Sequence, residues 1–198
     1  DYWTDPLKLQ KQVDVLESHP ECIACHHAQK TVFETIHGDY VERKVPPENQ
    51  GYFPQQVATI KEIFENKLRV QVRTILFRNI FKNGCRFPEW YFKAPYGDAS
   101  LSMILGDYGV FWFINEPMAV YRHSLRGVSS EGHKLFLFHF NHQIGWVQVW
   151  EHGLKHNQYK YISEGKKSIF HFYSVILNHY GGNFFVLAKV LRYALFDS

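Results

Sequence analysis

The sequence predicts a mixed α/β fold over residues 1–130, followed by a helical tail over residues 131–198. Two observations carry this. Up to about residue 130, short apolar or alternating runs of strand length are interleaved with segments of helical spacing. From His133 onward no strand pattern remains, and glycines punctuate a series of helical segments. With 45% apolar and 21% charged residues among 198, the chain has the composition of a globular protein able to build a good-sized core.

The elements follow in order. Thr4-Asp5-Pro6 is a helix start, and the helix runs from Pro6 to about Ser18. Leu9, Val13 and Leu16 give it an apolar face; Lys8, Lys11 and Glu17 are expected in solvent. His19-Pro20 ends it. Glu21 to Ala28 reads as a buried strand and Gln29 to Ile36 as a second one. Gly38 to Gly51 is a long loop. A helix over Gln55–Glu65, a strand over Val70–Phe77 and an irregular stretch over Asn79–Tyr91 come next. A helix over Ala99–Tyr108 closes on Gly109 as a left-handed terminator. Val110–Ile114 is a buried strand, Met118–Arg122 a short one, and Ser124–Gly132 a polar loop. The tail divides into helices over His133–Glu151, Gln158–Lys166, Lys167–Tyr180 and Phe184–Phe196.

Bulk properties narrow the function. A net charge of +3 is too small to argue for nucleic acid, and no run of 18 apolar residues suggests a membrane span. Three cysteines do not make a disulfide framework, and with no signal peptide a reducing, cytoplasmic setting fits best. Aromatics at 17% suit either an aromatic core or a surface that stacks sugars or bases.

Three constellations could carry chemistry. Cys22-Ile23-Ala24-Cys25-His26 matches the C-x-x-C-H pattern of haem attachment, and with His27 a zinc site is conceivable. Its place in an apolar, strand-like run and the lack of a second cysteine pair favour two buried structural cysteines. Asp98, after Gly97 at a helix start, reads as an N-cap or as a general base projecting into a cleft. Tyr121-Arg122-His123 with Arg126-Gly127 reads as a solvated loop or as a site for an anionic ligand such as a diphosphate.

Asp1-Tyr2-Trp3-Thr4-Asp5-Pro6 and Lys8-Leu9-Gln10-Lys11-Gln12-Val13-Asp14 resemble the family-2 glycosyltransferases of bacterial polysaccharide assembly. There an acidic pair precedes Tyr-Trp and a Lys-Gln-bearing helix. Thr74-Ile75-Leu76-Phe77-Arg78, Pro88-Glu89-Trp90, Gly97-Asp98 with Leu101, and Gly109-Val110 through Met118-Ala119-Val120-Tyr121-Arg122 resemble later segments of that family, in the same order. The resemblance covers about residues 1–130. It implies the C-terminal, acceptor-side portion of a GT-A type domain, with the nucleotide-binding strands expected upstream and the chain a fragment that is inactive alone. It further implies inverting, metal-assisted transfer from a nucleotide-sugar donor to a glycan or lipid-linked acceptor. Asp1 would hold a Mg²⁺ or Mn²⁺ ion on the donor diphosphate, and Asp98 would be the base. Arg122, His123 and Arg126 would meet the diphosphate, and Glu89 and Trp90 the acceptor. The sequence departs from the pattern after Tyr121-Arg122, where His123 comes one residue early and so falls on the other face of a strand. The tail, with Trp146, Trp150, Phe170, Phe172, Phe184 and Phe185, is expected to pack on the catalytic half or to form a partner or peripheral membrane surface through Lys166, Lys167, Lys189 and Arg192. The rival readings are a non-catalytic carbohydrate- or partner-binding module, and a metal or haem protein built on Cys22, Cys25 and His26.

Overall fold

The computed structural model describes residues 1–43, 53–84, 86–125 and 136–180, together with Ala188. Its organising feature is a pair of parallel chain segments. β2 (Cys22–His27) pairs in parallel with β7 (Val110–Ile114), and β3 (Lys30–Glu34) pairs in parallel with β8 (Ala119–His123). Only two residues separate β2 from β3, and the amides of Ala28 and Met118 keep the segments joined across the gap by donating to Ile114 O and Ala28 O. One long parallel ribbon therefore passes from one sheet into the next. Short strands extend both sheets: β1 (Tyr2–Trp3) and β4 (Tyr40–Glu42) flank the second, and β5 (Val57–Ala58) and β6 (Leu76–Phe77) flank the first. The fold is mixed α/β, as the sequence predicts.

The helices are α1 (Lys8–Ser18), α2 (Ile60–Phe64), α3 (Glu89–Lys93), α4 (Gly97–Leu105), α5 (Phe136–His156) and α6 (Ile162–Tyr180). A 3₁₀ turn covers Ile80–Asn83.

Several elements differ from the sequence reading, each for a local reason. α1 turns Lys8, 2% exposed, and Gln12, 0% exposed, inward, while Leu9 stays 46% exposed. The helix lies over chain segments whose carbonyls need donors. Gln12 Nε2 donates to Thr74 O at 2.8 Å and Cys25 O at 3.3 Å, and Gln12 Oε1 accepts from Lys8 Nζ at 2.7 Å. Burial lowers the Lys8 ammonium, which also lies 4.3 Å over the Trp3 ring. Residues 55–65 do not form one helix. Thr59 and Glu62 make a capping box that starts α2 only at Ile60, which frees Val57–Ala58 to pair with β7. Residues 72–74 form a turn, because the Thr74 amide and hydroxyl both donate to Gln71 O in place of a ladder.

Gly109 is not a left-handed terminator. Its φ is ordinary, and α4 already ends at Leu105. A Cβ on Gly109 would lie 2.5 Å from Glu21 O, so glycine is needed for the close approach of β7 to the start of β2. Gly165 likewise breaks nothing. It lies inside α6, where a Cβ would meet Leu154 of α5 at 2.7 Å. The break between α5 and α6 is made instead by Gln158 and Tyr159, both at positive φ. The expected helix over Phe184–Phe196 and the loop after Ser124 lie outside the described residues, save for Ser124, Leu125 and Ala188.

One core cluster runs from Ile23, Phe111 and Phe113 on the strands through Phe64 and Met103 to Val147, Trp150, Leu154 and Phe172 on α5 and α6. The helices of the tail and the sheets thus share a core, and no break in it falls at residue 130.

β2 is buried at every position, as a parallel strand covered on both faces must be. That burial takes Cys22, Cys25, His26 and His27 with it. A bulge between Cys22 and Ala24 lets both cysteines pack against Leu16. Both are free thiols, and burial pushes Cys25 up to about 12. Among the described residues no three His, Cys, Asp or Glu side chains come together to hold a metal. Among the described residues, neither ring nitrogen of His26, nor Nε2 of His27, has a hydrogen-bond partner.

Two outcomes follow. Burial holds His26 down at about 3 and His27 at about 4. Below about pH 6.5 the unfolded chain therefore binds protons that the folded chain refuses. Their contribution is complete above that pH and is lost as pH falls toward 4, by roughly 1 kcal/mol per pH unit for each histidine. Urea midpoints taken between pH 7.5 and 4.5 should fall accordingly, and His26→Phe should flatten the slope. Gly109→Ala should cost about 2 kcal/mol in the same assay, since a backbone carbonyl cannot yield as a side chain can.

Candidate functional site

A cleft of about 650 Å³ opens between the second sheet and the helices. One wall is the face of β3 and β8 that carries Gln29, Thr31, Phe33, Tyr121 and His123. Strand alternation puts these residues on one side and Arg122 on the other. The opposite wall combines Asp98, Ala99 and Ser102 of α4 with His142, Trp146 and Trp150 of α5. The segment from Leu68 to Arg73 closes one end.

Arg73 is the node of this cleft. Its Nε donates to Asp1 Oδ2 at 2.9 Å, and its Nη1 donates to Gln29 Oε1 at 2.8 Å and Gln71 Oε1 at 3.1 Å. Its guanidinium carbon lies 4.0 Å from the centre of the Tyr121 ring. Burial lowers the basicity of Arg73, and the nearby Asp98 carboxylate opposes that. The group stays a cation in any case. Asp1, through its carboxylate, spans the edge of the cleft: Oδ2 takes Arg73, and Oδ1 accepts the backbone amide of Arg122 at 3.0 Å.

Asp98 lies in the first turn of α4, one position inside the helix from Gly97. Tyr96 holds the N-cap position, and Asp98 Oδ1 accepts the amide of Ala99 at 2.9 Å. The cap is therefore not its role, and its side chain lines the cleft. Beside it, burial and then the Asp98 charge push the Tyr96 phenol up to about 12.

The remaining expected site residues fall as follows. His123 lines the cleft, stacked on Phe33 at 5.2 Å. Arg122 does not; its guanidinium lies outside, over the Tyr40 ring. Trp90 packs against His152 and His156 of α5, away from the cleft, and Glu89 is exposed and paired with Lys93 at 2.5 Å. Arg126 lies outside the described residues. Arg78, in the segment expected to precede the acceptor region, donates to Cys22 O, His19 O and Leu16 O, and so caps the C-terminal end of α1.

Sequence reading missed Arg69, Arg73, Thr31 and the α5 wall. A signal for the first two was present. Arg69, Gln71 and Arg73 alternate with Val70 and Val72, a spacing that puts the three polar side chains on one face of an extended chain.

Asp1 offers a divalent cation one hard oxygen ligand. Each of its oxygens already accepts one hydrogen bond, and Mg²⁺ wants six ligands, usually including several waters and phosphate oxygens. The described residues alone do not complete such a site.

No family model matches this chain, and no solved structure matches it. A stretch of 34 residues, 17% of the chain, is 56% identical to an uncharacterized protein of Mycobacterium bovis and to uncharacterized proteins from two strains of Mycobacterium tuberculosis. The match spans 10% of the length of each of these curated relatives. Among the described residues no helix is long and apolar enough to cross a membrane.

Arg73→Gln would strip Asp1, Gln29 and Gln71 of a common donor. Urea unfolding should register a loss of about 1–2 kcal/mol, whereas Arg122→Gln should stay within about 0.5 kcal/mol. Equal losses in the two variants would contradict the placement of these side chains.

Proposed function

We propose that this chain supplies the acceptor-side part of an inverting glycosyltransferase of the GT-A type, which moves a sugar from a nucleotide-diphosphate donor to a glycan or lipid-linked acceptor. The observation that carries this reading is the meeting of Asp1 and Asp98 around Arg73. Asp1 bonds Arg73 directly, and Asp98 lines the same cleft and acts on the same guanidinium. These are the two carboxylates to which the family resemblance gives the donor edge and the base.

In this mechanism the acceptor hydroxyl enters the cleft beside Asp98. Its oxygen attacks the anomeric carbon from the face opposite the diphosphate. The carbon–oxygen bond to the diphosphate breaks with its electron pair, and the hydroxyl proton passes to the Asp98 carboxylate. Arg73 holds Asp1 in place at the donor edge. Asp1 would be one ligand of a Mg²⁺ or Mn²⁺ ion bound with the donor, and such an ion would supply neutralisation of the charge on the leaving diphosphate.

A binding module that stacks sugars on aromatic faces finds less support here. The Tyr121 ring carries Arg73, and Trp146 is covered by Tyr96 at 4.4 Å and by Arg69 at 4.9 Å.

The test is release of nucleoside diphosphate from a panel of sugar nucleotides by the full-length gene product with Mg²⁺ or Mn²⁺. Asp98→Asn should lower turnover by about 10²–10⁴-fold with the fold intact. Full turnover in that variant would remove Asp98 from the mechanism.

A further inference from the structure

The cleft holds two arginines, and they are spent differently. Arg73 is committed to Asp1, Gln29 and Gln71. Among the described residues Arg69 donates only through Nε, to Asn66 Oδ1 at 3.0 Å, and it lies 4.9 Å over the Trp146 ring. It makes no ion pair among the described residues, so both Nη groups keep their donors. The charge of Asp98 reaches it without contact. Thr31, 5% exposed, also lines the cleft, and its hydroxyl has no hydrogen-bond partner among the described residues. A buried hydroxyl left unmatched costs stability unless a ligand meets it. The aromatic faces that would stack a neutral sugar are already covered by guanidinium groups and by Tyr96.

Resting on the transferase reading for the word acceptor, we propose that Arg69 binds an oxyanion, a carboxylate or a phosphoryl group, carried by the acceptor next to the hydroxyl that faces Asp98. A planar guanidinium with two free Nη groups matches either anion through paired donors. The acceptor, not the donor, is indicated by position. The side chain of Asp1, at the donor edge, bonds Arg73 and the Arg122 amide, and its hydrogen bonds and ion pair do not reach Arg69.

Calorimetry on this chain with methyl glucuronide, methyl glucoside and inorganic phosphate tests the site. The glucuronide, phosphate or both should bind, and the neutral glucoside should not. The anion that binds more tightly names the source, an acidic sugar or a phosphoryl substituent. Arg69→Gln should weaken that binding by about tenfold, and Thr31→Val, which keeps the charge, by severalfold. Arg122→Gln should leave it unchanged. Equal binding of glucoside and glucuronide, binding of neither anion, or wild-type affinity in a folded Arg69→Gln chain would overturn the proposal. In the full-length gene product, Arg69→Gln should raise KM for the acceptor and not for the donor; a rise for the donor alone would overturn the assignment to the acceptor. If Asp98→Asn left diphosphate release intact while Arg69→Gln still weakened anion binding, the transferase mechanism would fail and the anion site would stand.

Discussion

The parallel pairing of residues 22–34 with residues 110–123 is the constraint on which everything else depends. These segments are far apart in sequence and have no short connection, so the intervening 75 or so residues must leave the ribbon, cross the fold and return. That excursion carries α2, the Arg69–Arg73 segment and α4, which line the cleft, and α3, which packs away from it. The ribbon also sets the near wall. Because β3 and β8 are in parallel register, Thr31 lies opposite Tyr121 and Phe33 opposite His123, so one face collects the polar and aromatic side chains.

Burying a parallel ribbon on both faces has a chemical consequence. β2 is lined by Cys22, Cys25, His26 and His27, and all four must be neutral there. The C-x-x-C-H spacing that suggests a cofactor is thus put to the opposite use. The thiols are pushed away from the reactive thiolate form, and the imidazoles away from the cation. The same strand explains the inverted face of α1. Carbonyls at Cys25 and Thr74 require donors from above, and Gln12 supplies them where a leucine could not.

What the sequence made legible was whatever depends on local pattern. β2, β3, β7, β8, α1 and α4 are all readable from apolar runs, alternation and punctuation, and Asp98 is readable as a cleft residue at a helix start. The rest is decided by partners distant in the chain. Val70–Phe77 has strand composition, yet Arg73 is drawn to Asp1, 72 residues away, so the chain turns at residues 72–74 and only Leu76–Phe77 pairs. Lys8 looks like a solvent residue until Gln12 and Trp3 receive it. Arg122 and His123 are neighbours in sequence, and only pairing with β3 decides which of them faces the cleft. One local signal was there to be used: Thr59 and Glu62 have the spacing of a capping box, which places the start of α2 and detaches β5 from it.

The helical tail also takes a different meaning from its chemistry. The carbonyl of Phe64, at the last residue of α2, accepts Trp150 Nε1 of α5 at 3.0 Å and Ser168 Oγ of α6 at 2.6 Å. A helix end leaves such carbonyls without intrahelical partners, and here two other helices satisfy one of them inside the core. Asn66 follows at positive φ two residues later and accepts from Arg69. The end of α2, and with it the segment bearing Arg69 and Arg73, is therefore held by α5 and α6. Trp146 and His142 on that same α5 line the cleft opposite the strands. The tail is then a wall of the site, and its aromatic residues serve as packing and as a rest for a cation. Because the Arg69 guanidinium rests on Trp146, α5 fixes the cation that the cleft presents beside Asp98.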